Sequence, residues 1–192
     1  MKKKNKIRIL SVLLPAVLLA GCGAENTEEK AQTETKSGET SAALQEEEAL
    51  SFTGVDIEGN QVSSDIFSES KITMVNVWAT YCNPCLSEMP GLGELAEAYE
   101  EGEFRVVGII SDVMEDADQE TIEAAKDLIV QTEAGYTHLL LNESVYRALL
   151  TEVSVVPTTF FIDENGVVVD TVLGALEKSA WEEKINALLE KR

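Results

Sequence analysis

The sequence contains few side chains that bind transition metals, with 3 cysteines and 1 histidine among 192 residues. Cys82 and Cys85 are three positions apart in a Cys-Asn-Pro-Cys motif. Such a pair can supply two of the four ligands of a zinc site, and a complete site needs a second pair of cysteine or histidine ligands. The remaining cysteine is Cys22, and the histidine is His138. The sequence therefore favours dithiol redox chemistry over metal binding, with a purely structural disulfide as a further alternative.

Basic residues are also scarce, at 15 against 35 acidic residues, and the formal net charge is −20 at pH 7. Five of the basic residues lie within the first eight positions, so the chain without that segment carries 10 basic and 35 acidic residues, or −25. Binding to a nucleic-acid backbone requires a basic surface, so this composition excludes nucleic acid as a partner. The negative charge also keeps the folded part of the protein away from anionic lipid.

Long apolar runs are lacking as well. The apolar segment at residues 9–20 follows a cationic start and is too short to cross a bilayer as a stable helix. This pattern is typical of a secretory signal, so we expect residues 1–21 to be a signal peptide and the protein to be exported. Disulfides form and persist in exported compartments, which suits a dithiol protein.

The signal ends in Leu19-Ala20-Gly21-Cys22, which resembles the bacterial lipoprotein cleavage box. The resemblance implies that Cys22 receives a lipid and becomes the new N-terminus. Two or more acyl chains hold a protein stably on a membrane. We therefore expect a lipid-anchored protein on the extracytoplasmic face of the bacterial cell membrane. An ordinary signal peptide with an incidental cysteine is the alternative.

A tether is predicted next, over residues 22–48. From residue 23 onward it contains eight glutamates, two lysines and one apolar side chain larger than alanine, Leu44. Such a segment cannot bury enough surface to offset the entropy of ordering it. We expect a lipid-anchored, acidic, flexible tether that carries one folded domain, residues 49–192.

The pattern of residues 49–192 predicts an α/β domain. Residues 72–79 are apolar on both faces, as in a buried central strand, and a helix over 86–100, kinked at Pro90, separates them from an apolar strand at 104–110. That order implies a right-handed crossover and parallel pairing. The other expected elements are a hairpin at 51–62, helices at 116–133, 143–150 and 178–189, and strands at 137–141, 158–162 and 167–173. Together they predict a mixed sheet, parallel in its first half and antiparallel in its second, with helices on both faces.

Two motifs in this order resemble one known family. Residues 75–90, which contain the Cys-Asn-Pro-Cys motif, and residues 156–163, which begin Val-Pro-Thr-Thr, resemble the thioredoxin-like TlpA/ResA family of membrane-anchored thiol-disulfide oxidoreductases. The resemblance covers about residues 50–192. It implies a thioredoxin-like fold, here with the N-terminal β-hairpin as an extension.

The two cysteines have different expected roles. At the N-terminus of the predicted helix, a Cys82 thiolate is stabilised by unpaired backbone N–H groups and the helix dipole, so we expect Cys82 to attack. Cys85, one turn further and less exposed, is expected to resolve the mixed disulfide. Asn76 occupies the place where thioredoxins proper carry a buried acid, and it cannot titrate.

Two further residues match the family's active site. Glu88 lies on the same helix face as Cys85, and the resemblance implies that it exchanges protons with the dithiol and opposes thiolate formation. An exposed helix carboxylate is the alternative. Pro157 resembles the cis-proline that packs against the cysteine pair, and a cis bond there would direct the backbone of Val156 toward an extended substrate.

Aromatic residues flank the motif. Trp78 and Tyr81 are candidates for substrate contact, with a place in the core or its rim as the alternative. His138 is expected in the core or at a strand edge.

The sequence thus predicts a protein-disulfide reductase without cofactor or metal. The resemblance implies an integral-membrane electron donor of the CcdA/DsbD type, with apocytochrome c or an exported methionine sulfoxide reductase as acceptor. One alternative is a thiol peroxidase of the peroxiredoxin type, which needs threonine at position 79, where this chain has alanine. The other is a copper-binding chaperone resembling Sco proteins, which uses a wider cysteine spacing and a distal histidine.

Overall fold

The computed structural model of the protein describes residues 49–192. The predicted signal peptide, the predicted lipidation site at Cys22 and the predicted tether lie outside these residues. Within them, no helix is both long enough and apolar enough to cross a membrane.

The described part of the chain opens with the predicted hairpin. Strands β1 (Thr53–Val55) and β2 (Gln61–Ser63) pair antiparallel as a separate two-stranded sheet. In the connecting turn, Asp56 Oδ1 accepts hydrogen bonds from the backbone N–H groups of Glu58 and Asn60, at 2.9 and 2.8 Å. Gly59 adopts a φ of 87°, which glycine reaches without a steric penalty.

A five-stranded mixed sheet forms the centre of the domain. Its strands are β3 (Ile72–Trp78), β4 (Phe104–Met114), β5 (Thr137–Leu141), β6 (Thr158–Asp163) and β7 (Val168–Leu173). Their spatial order is β5-β4-β3-β6-β7. Strands β3, β4 and β5 are parallel, and β6 and β7 run antiparallel to their neighbours. The predicted sheet is confirmed, and all seven residues of β3 are buried, as its apolar sequence requires.

Helices cover both faces of the sheet. They are α1 (Asn83–Ala98), α2 (Gln119–Gln131), α3 (Glu143–Val145), which continues as a π-helical turn (Tyr146–Leu150), and α4 (Lys178–Leu189). Helices α1, α2 and α4 bury their apolar sides against one face. The hairpin, a 3₁₀ helix (Ser64–Glu69) and the α3 segment cover the other. The expectation of a thioredoxin-like fold is met.

Three elements differ from their predictions by three or more residues at one end. Helix α2 begins three residues later than predicted, because Asp118 is its N-cap and accepts a hydrogen bond from the Thr121 N–H at 2.8 Å. Helix α1 begins three residues earlier, because Cys82 is its N-cap and the proline after Asn83 fits the first helical turn. It ends at Ala98, two residues before the predicted end, and it includes Pro90, with Met89 and Leu92 fully buried on either side of the proline. Strand β4 runs four residues further, to Met114, because Val113 is still buried in the core.

Candidate active site

The two cysteines of the motif are bonded to each other at the N-terminus of α1. The Cys82–Cys85 disulfide joins Cα atoms 5.3 Å apart. Cys82 caps the helix, and its Sγ accepts a hydrogen bond from the Cys85 N–H at 3.3 Å. Cys82 retains 6% of its surface exposed and Cys85 none. Of the two sulfur-bearing residues, Cys82 is therefore the one that reaches solvent.

The turn that leads into the motif is held from β4. The N–H of Cys82 donates to the Ala79 carbonyl at 3.0 Å, which closes the turn. The carboxylate of Asp112 accepts from the Thr80 N–H at 3.0 Å and from the Thr80 hydroxyl at 2.6 Å. These bonds fix the end of β3 relative to its neighbour strand. Asp112 was not among the predicted site residues, because its contact with Thr80 spans 32 positions and no local pattern marks it.

The loop before β6 lies beside the disulfide. The Val156–Pro157 peptide bond is cis, as the resemblance implies. The Val156 side chain packs against the apolar cluster that contains both cysteines. No described residue hydrogen-bonds to the backbone N–H or carbonyl of Val156.

Glu88 points into the protein rather than into solvent, with 6% of its surface exposed. Its Oε1 accepts from Asn76 Nδ2 at 3.0 Å, and its Oε2 accepts from the Leu176 N–H at 3.1 Å and from Trp181 Nε1 at 3.2 Å. Burial raises the pKa of Glu88, and the three hydrogen bonds oppose that effect. The alternative of an exposed helix carboxylate is therefore wrong.

A cleft between α1 and the start of α4 reaches this buried carboxyl. It has a volume of about 540 Å³, and its walls include Ser87, Glu88, Gly91, Leu176 and Lys178. The exposed side of the cleft is bounded by an ion pair between Lys178 and Glu94. Glu88 thus lines a cleft that opens to solvent.

A row of polar residues crosses the sheet beneath α1. Asn76 in β3 pairs in register with Thr159 in β6 and with Gly108 in β4, and Gly108 pairs with His138 in β5. Residues in register project from the same face of a sheet. Asn76 Nδ2 accordingly also donates to Thr159 Oγ1, at 3.0 Å. Sequence reasoning identified Asn76 but could not place the strands whose side chains complete the row.

His138 is buried in this row as a neutral ring. Its Nδ1 accepts from Trp78 Nε1 at 3.1 Å, so its other nitrogen, Nε2, carries the proton and donates to the Ala134 carbonyl at 2.9 Å. Burial lowers the pKa of His138 to about 4. The ring lies directly over Gly108, where a Cβ atom would come within 2.2 Å of Nδ1. The expected core position of His138 is confirmed.

Tyr136 was missed by the sequence reasoning. Its ring lies 4.4 Å from the His138 ring, and its hydroxyl is buried without a hydrogen-bond partner among residues 49–192. Burial, and secondarily the charge of Glu88, raise the pKa of Tyr136, so it remains a neutral phenol. Tyr136 precedes a predicted strand, and nothing in its sequence context marks it as a neighbour of Glu88.

The two aromatic candidates for substrate contact occupy different environments. Tyr81 is 75% exposed beside Cys82, whereas Trp78 has no exposed surface and packs against the disulfide from behind. A substrate therefore cannot contact the side chain of Trp78 directly, because that side chain lies wholly inside the core. Within residues 49–192, no three His, Cys, Asp or Glu side chains are arranged to hold a metal ion.

Comparison with known proteins places this site in a family. The sequence model of the AhpC/TSA family matches residues 46–171. The chain belongs to the AhpC/TSA family. It is 29% identical to the thiol-disulfide oxidoreductase ResA of Bacillus cereus over 136 residues, which cover 70% of this chain and 73% of that one. It is 33% identical to the thiol:disulfide interchange protein DsbE of Escherichia coli over 141 residues, 71% of this chain and 68% of that one.

Solved structures agree with this assignment. A thiol:disulfide interchange protein of the thioredoxin family from Chlorobium tepidum superposes with a TM-score of 0.61 and 25% identity, over 73% of this chain and 94% of that one. The Cys82–Cys85 disulfide lies where α1 begins, as a reversible dithiol centre requires. The protein is thus an enzyme, a thiol-disulfide oxidoreductase of the ResA/DsbE type.

Proposed function

We propose that the protein uses the dithiol form of Cys82 and Cys85 to reduce disulfide bonds in other exported proteins. The observation that carries the proposal is the order of groups from the surface inward: Cys82 keeps 6% of its surface exposed, Cys85 keeps none, and the carboxyl of Glu88, buried to the same extent as Cys82, lies one helical turn further. This order separates the thiol that meets a substrate from the thiol and carboxyl that complete the exchange.

The proposed reaction has two displacements. The Cys82 thiolate attacks one substrate sulfur, so a Cys82–substrate bond forms and the other substrate sulfur leaves as a thiolate that takes up a proton. Cys85 then loses its proton and attacks Cys82 Sγ. The Cys82–Cys85 bond forms, the mixed disulfide breaks, and the second substrate sulfur leaves and is protonated. The substrate gains two electrons and two protons, which a dithiol donor must later restore to the protein.

Electrostatics support the reducing direction. A strongly oxidising pair owes its high potential to a stabilised reduced form. Here the ionised form of Glu88 places a negative charge behind the dithiol, which disfavours a thiolate there. Asn76 cannot supply or remove charge. The reduced pair is therefore not specially stabilised, and it gives up its electrons more readily.

Glu88 is the proposed proton-exchanging group. Its raised pKa brings its protonated form closer to neutral pH, and the cleft at Gly91 and Leu176 connects it with solvent. Cys85 precedes Glu88 by one helical turn, so the two side chains lie on the same face of α1. Glu88 is thus positioned to accept the proton that Cys85 releases in the second displacement, directly or through water.

The proposed cellular setting rests on the sequence. Cleavage before Cys22 and lipidation of that residue would hold the protein on the extracytoplasmic face of the membrane, with residues 22–48 as a tether. We expect wild-type protein to partition with membranes and the Cys22→Ala precursor to remain unlipidated. Wild-type protein that is free in the soluble exported fraction, with an unmodified N-terminus, would contradict the anchor.

The proposed partners follow from the same setting. Since reduction consumes the dithiol, an integral-membrane donor of the CcdA/DsbD type is proposed to restore it. Apocytochrome c or an exported methionine sulfoxide reductase is the proposed acceptor.

Two alternative functions have specific tests. A thiol peroxidase is disfavoured by Ala79, and stopped-flow oxidation of the reduced protein by hydrogen peroxide would detect it. A copper chaperone is disfavoured because the side chain of His138 is held by two hydrogen bonds in the core. A copper titration of the reduced protein would detect it.

Trapping of mixed disulfides tests the proposed function. Without the resolving thiol the first intermediate cannot collapse, so Cys85→Ala should retain exported proteins covalently on Cys82, and mass spectrometry should name them. Cys82→Ala is the matched control and should retain few or none. Equal trapping by both variants, or adducts confined to Cys85, would overturn the assignment.

A further inference from the structure

Two buried polar atoms beneath α1 have no hydrogen-bond partner among residues 49–192: the hydroxyl oxygen of Tyr136 and Oδ1 of Asn76. Buried polar atoms are rarely left unpaired, because they lose their hydrogen bonds to water without gaining others. A buried water commonly joins such atoms, provided that at least two of them face the same space. The orientation of each atom therefore decides whether one water can serve both.

The Asn76 amide is oriented by the two hydrogen bonds that it donates. Its Nδ2 donates to Glu88 Oε1 and to Thr159 Oγ1 in β6, each at 3.0 Å. Oδ1 lies on the other side of the amide carbon, so it faces away from β6 and toward β4. The residue in register there is Gly108, which has no side chain. A side-chain partner for Oδ1 on this side must therefore reach over β4 from the direction of β5.

Two rings reach over Gly108 from that direction. The ring of His138 lies against Gly108, and the ring of Tyr136 lies 4.4 Å from the ring of His138. Both nitrogens of His138 are already used, one by the indole N–H of Trp78 and the other by the Ala134 carbonyl. The Tyr136 hydroxyl is therefore the polar group in this layer that is still free to act as a donor.

The Tyr136 hydroxyl lies within reach of Glu88, to which Asn76 is bonded. Burial and, secondarily, the charge of Glu88 raise the pKa of Tyr136, so the phenol stays neutral and keeps its proton. The hydroxyl can therefore donate, whereas Oδ1 of Asn76 can only accept. The two atoms are complementary, yet they do not bond to each other directly.

We propose that Tyr136 is a positioning residue for Glu88, and that it acts through one buried water, which accepts from the Tyr136 hydroxyl and donates to Asn76 Oδ1. The inference rests on the proposed function, in which Glu88 exchanges protons with the dithiol. The water holds the amide with Nδ2 toward the carboxylate. An amide whose oxygen accepts a hydrogen bond also donates more strongly through its nitrogen. Without the Tyr136 hydroxyl, the bond from Asn76 to Glu88 weakens.

Tyr136→Phe removes the hydroxyl and keeps the ring. Titration of the oxidised full-length protein with isotope-labelled glutamate carboxyls, followed by NMR, reports on Glu88, whose signal is identified by its loss in Glu88→Gln. Burial raises the pKa of Glu88, and the bond from Asn76 opposes that effect. Tyr136→Phe should therefore lower the acid dissociation constant of Glu88 by about three- to tenfold, the range for one neutral hydrogen bond.

The other groups around Glu88 stay the same in Tyr136→Phe. Neither cysteine titrates in the disulfide, and His138 stays neutral in the sheet. The charged side chains that face Glu88 across the cleft are Glu94, Glu177 and Lys178. A changed titration of Glu88 is therefore due to the lost hydroxyl.

Two comparisons show whether Tyr136 acts through Asn76. Tyr99→Phe is the matched control, because the Tyr99 hydroxyl donates to Asn186 Oδ1 at 3.0 Å, and it should leave the titration of Glu88 unchanged. In an Asn76→Ala background, Tyr136→Phe should have no further effect. No effect of Tyr136→Phe in the wild-type background, or an equal effect in both backgrounds, would overturn the proposal.

A crystal structure of the oxidised protein locates the water directly. One ordered water should lie within hydrogen-bond distance of both Tyr136 Oη and Asn76 Oδ1, and it should be lost in Tyr136→Phe. A direct bond between the two atoms, or no ordered water between them, would overturn the proposal. The wild-type structure decides the matter even if Tyr136→Phe does not fold.

Reaction of the reduced protein with the disulfide reagent DTNB separates this inference from the proposed function. Attack by Cys82 releases one coloured thiolate, and attack by Cys85 on the mixed disulfide releases a second. If the titration of Glu88 changes as expected but the pH dependence of the second release does not follow it, the inference stands and the proposed proton exchange at Glu88 is wrong. If the second release follows the titration of Glu88 in the wild type but Tyr136→Phe changes neither, the proposed function stands and the inference is wrong.

Discussion

The carboxylate of Glu88 accepts a hydrogen bond from the side-chain amide of Asn76, with 3.0 Å between Oε1 and Nδ2. The bond joins α1, which contains Cys85 and is capped by Cys82, to the buried strand β3 beneath it. Since an amide cannot titrate, the proposed proton exchange behind the disulfide is assigned to Glu88 rather than to Asn76. Four of the predictions that follow concern this buried polar layer or the turn above it.

The first prediction concerns the alkylation of Cys82. An ionised Glu88 opposes a second negative charge nearby, so Glu88→Gln should shift the pH dependence of Cys82 alkylation to lower pH. Iodoacetamide labelling of the reduced protein across a pH series measures this. Glu94→Gln is the matched control, because Glu94 is on the same helix but exposed. An unchanged profile in Glu88→Gln would show that Glu88 is structural.

The second prediction concerns the pH dependence of stability. Burial raises the pKa of Glu88 in the native state above 4.5, its ordinary value, which also applies to the unfolded state. At a pH between 4.5 and the raised pKa, the native state therefore binds more protons than the unfolded state. The free energy of unfolding should therefore fall as pH rises through that interval. The free energy of unfolding of the oxidised protein can be measured in urea at a series of pH values. It should decline more steeply with pH in the wild type than in Glu88→Gln, which has no carboxyl at this position. Parallel curves for the two proteins would contradict a raised pKa.

The third prediction concerns the packing of His138 over Gly108. A Cβ at position 108 would overlap the ring, which two hydrogen bonds hold in place, so Gly108→Ala should destabilise the protein by about 1–3 kcal/mol. Gly102→Ala is the control, since a Cβ atom at position 102 would meet nothing within 4 Å. If urea unfolding gave equal stabilities for the two variants, the His138 ring would be able to move aside for the new Cβ atom without cost, contrary to the prediction.

Sequence reasoning predicted the fold closely because its signals are local. The apolar run of β3, the turn at residues 163–166 and the apolar spacing of α4 each specify an element without reference to the rest of the chain. The boundaries of β4 were misjudged because Val113 is buried by contacts that come from other elements. The end of a strand depends on what packs against it.

The residues of the candidate site that belong to a sequence motif could be predicted, and the others could not. Cys82, Cys85 and Pro157 follow from spacing and resemblance. The burial of Glu88 did not follow, because it depends on Leu176 and Trp181, which lie 88 and 93 positions away. Such contacts are set by the docking of α4 against α1, and no local pattern encodes them.

The fourth prediction concerns the turn before Cys82. The Asp112 carboxylate accepts hydrogen bonds from both the backbone N–H and the hydroxyl of Thr80. Asp112→Ala and Thr80→Val should therefore each lower the free energy of unfolding. The double variant should lose less than the sum of the two single losses. A coupling of about 0.5 kcal/mol or more in a double-mutant cycle would confirm the contact. Strictly additive losses would show that the two residues act independently.

The reduction potential of the Cys82–Cys85 pair tests the central claim most directly. It is measured by equilibrating the protein with glutathione or dithiothreitol buffers and counting free thiols. The account predicts a value near that of thioredoxin, about −270 mV, because the buried carboxyl of Glu88 disfavours the thiolate form. A value near that of the strong oxidant DsbA, about −120 mV, would contradict the proposal that this protein reduces disulfides.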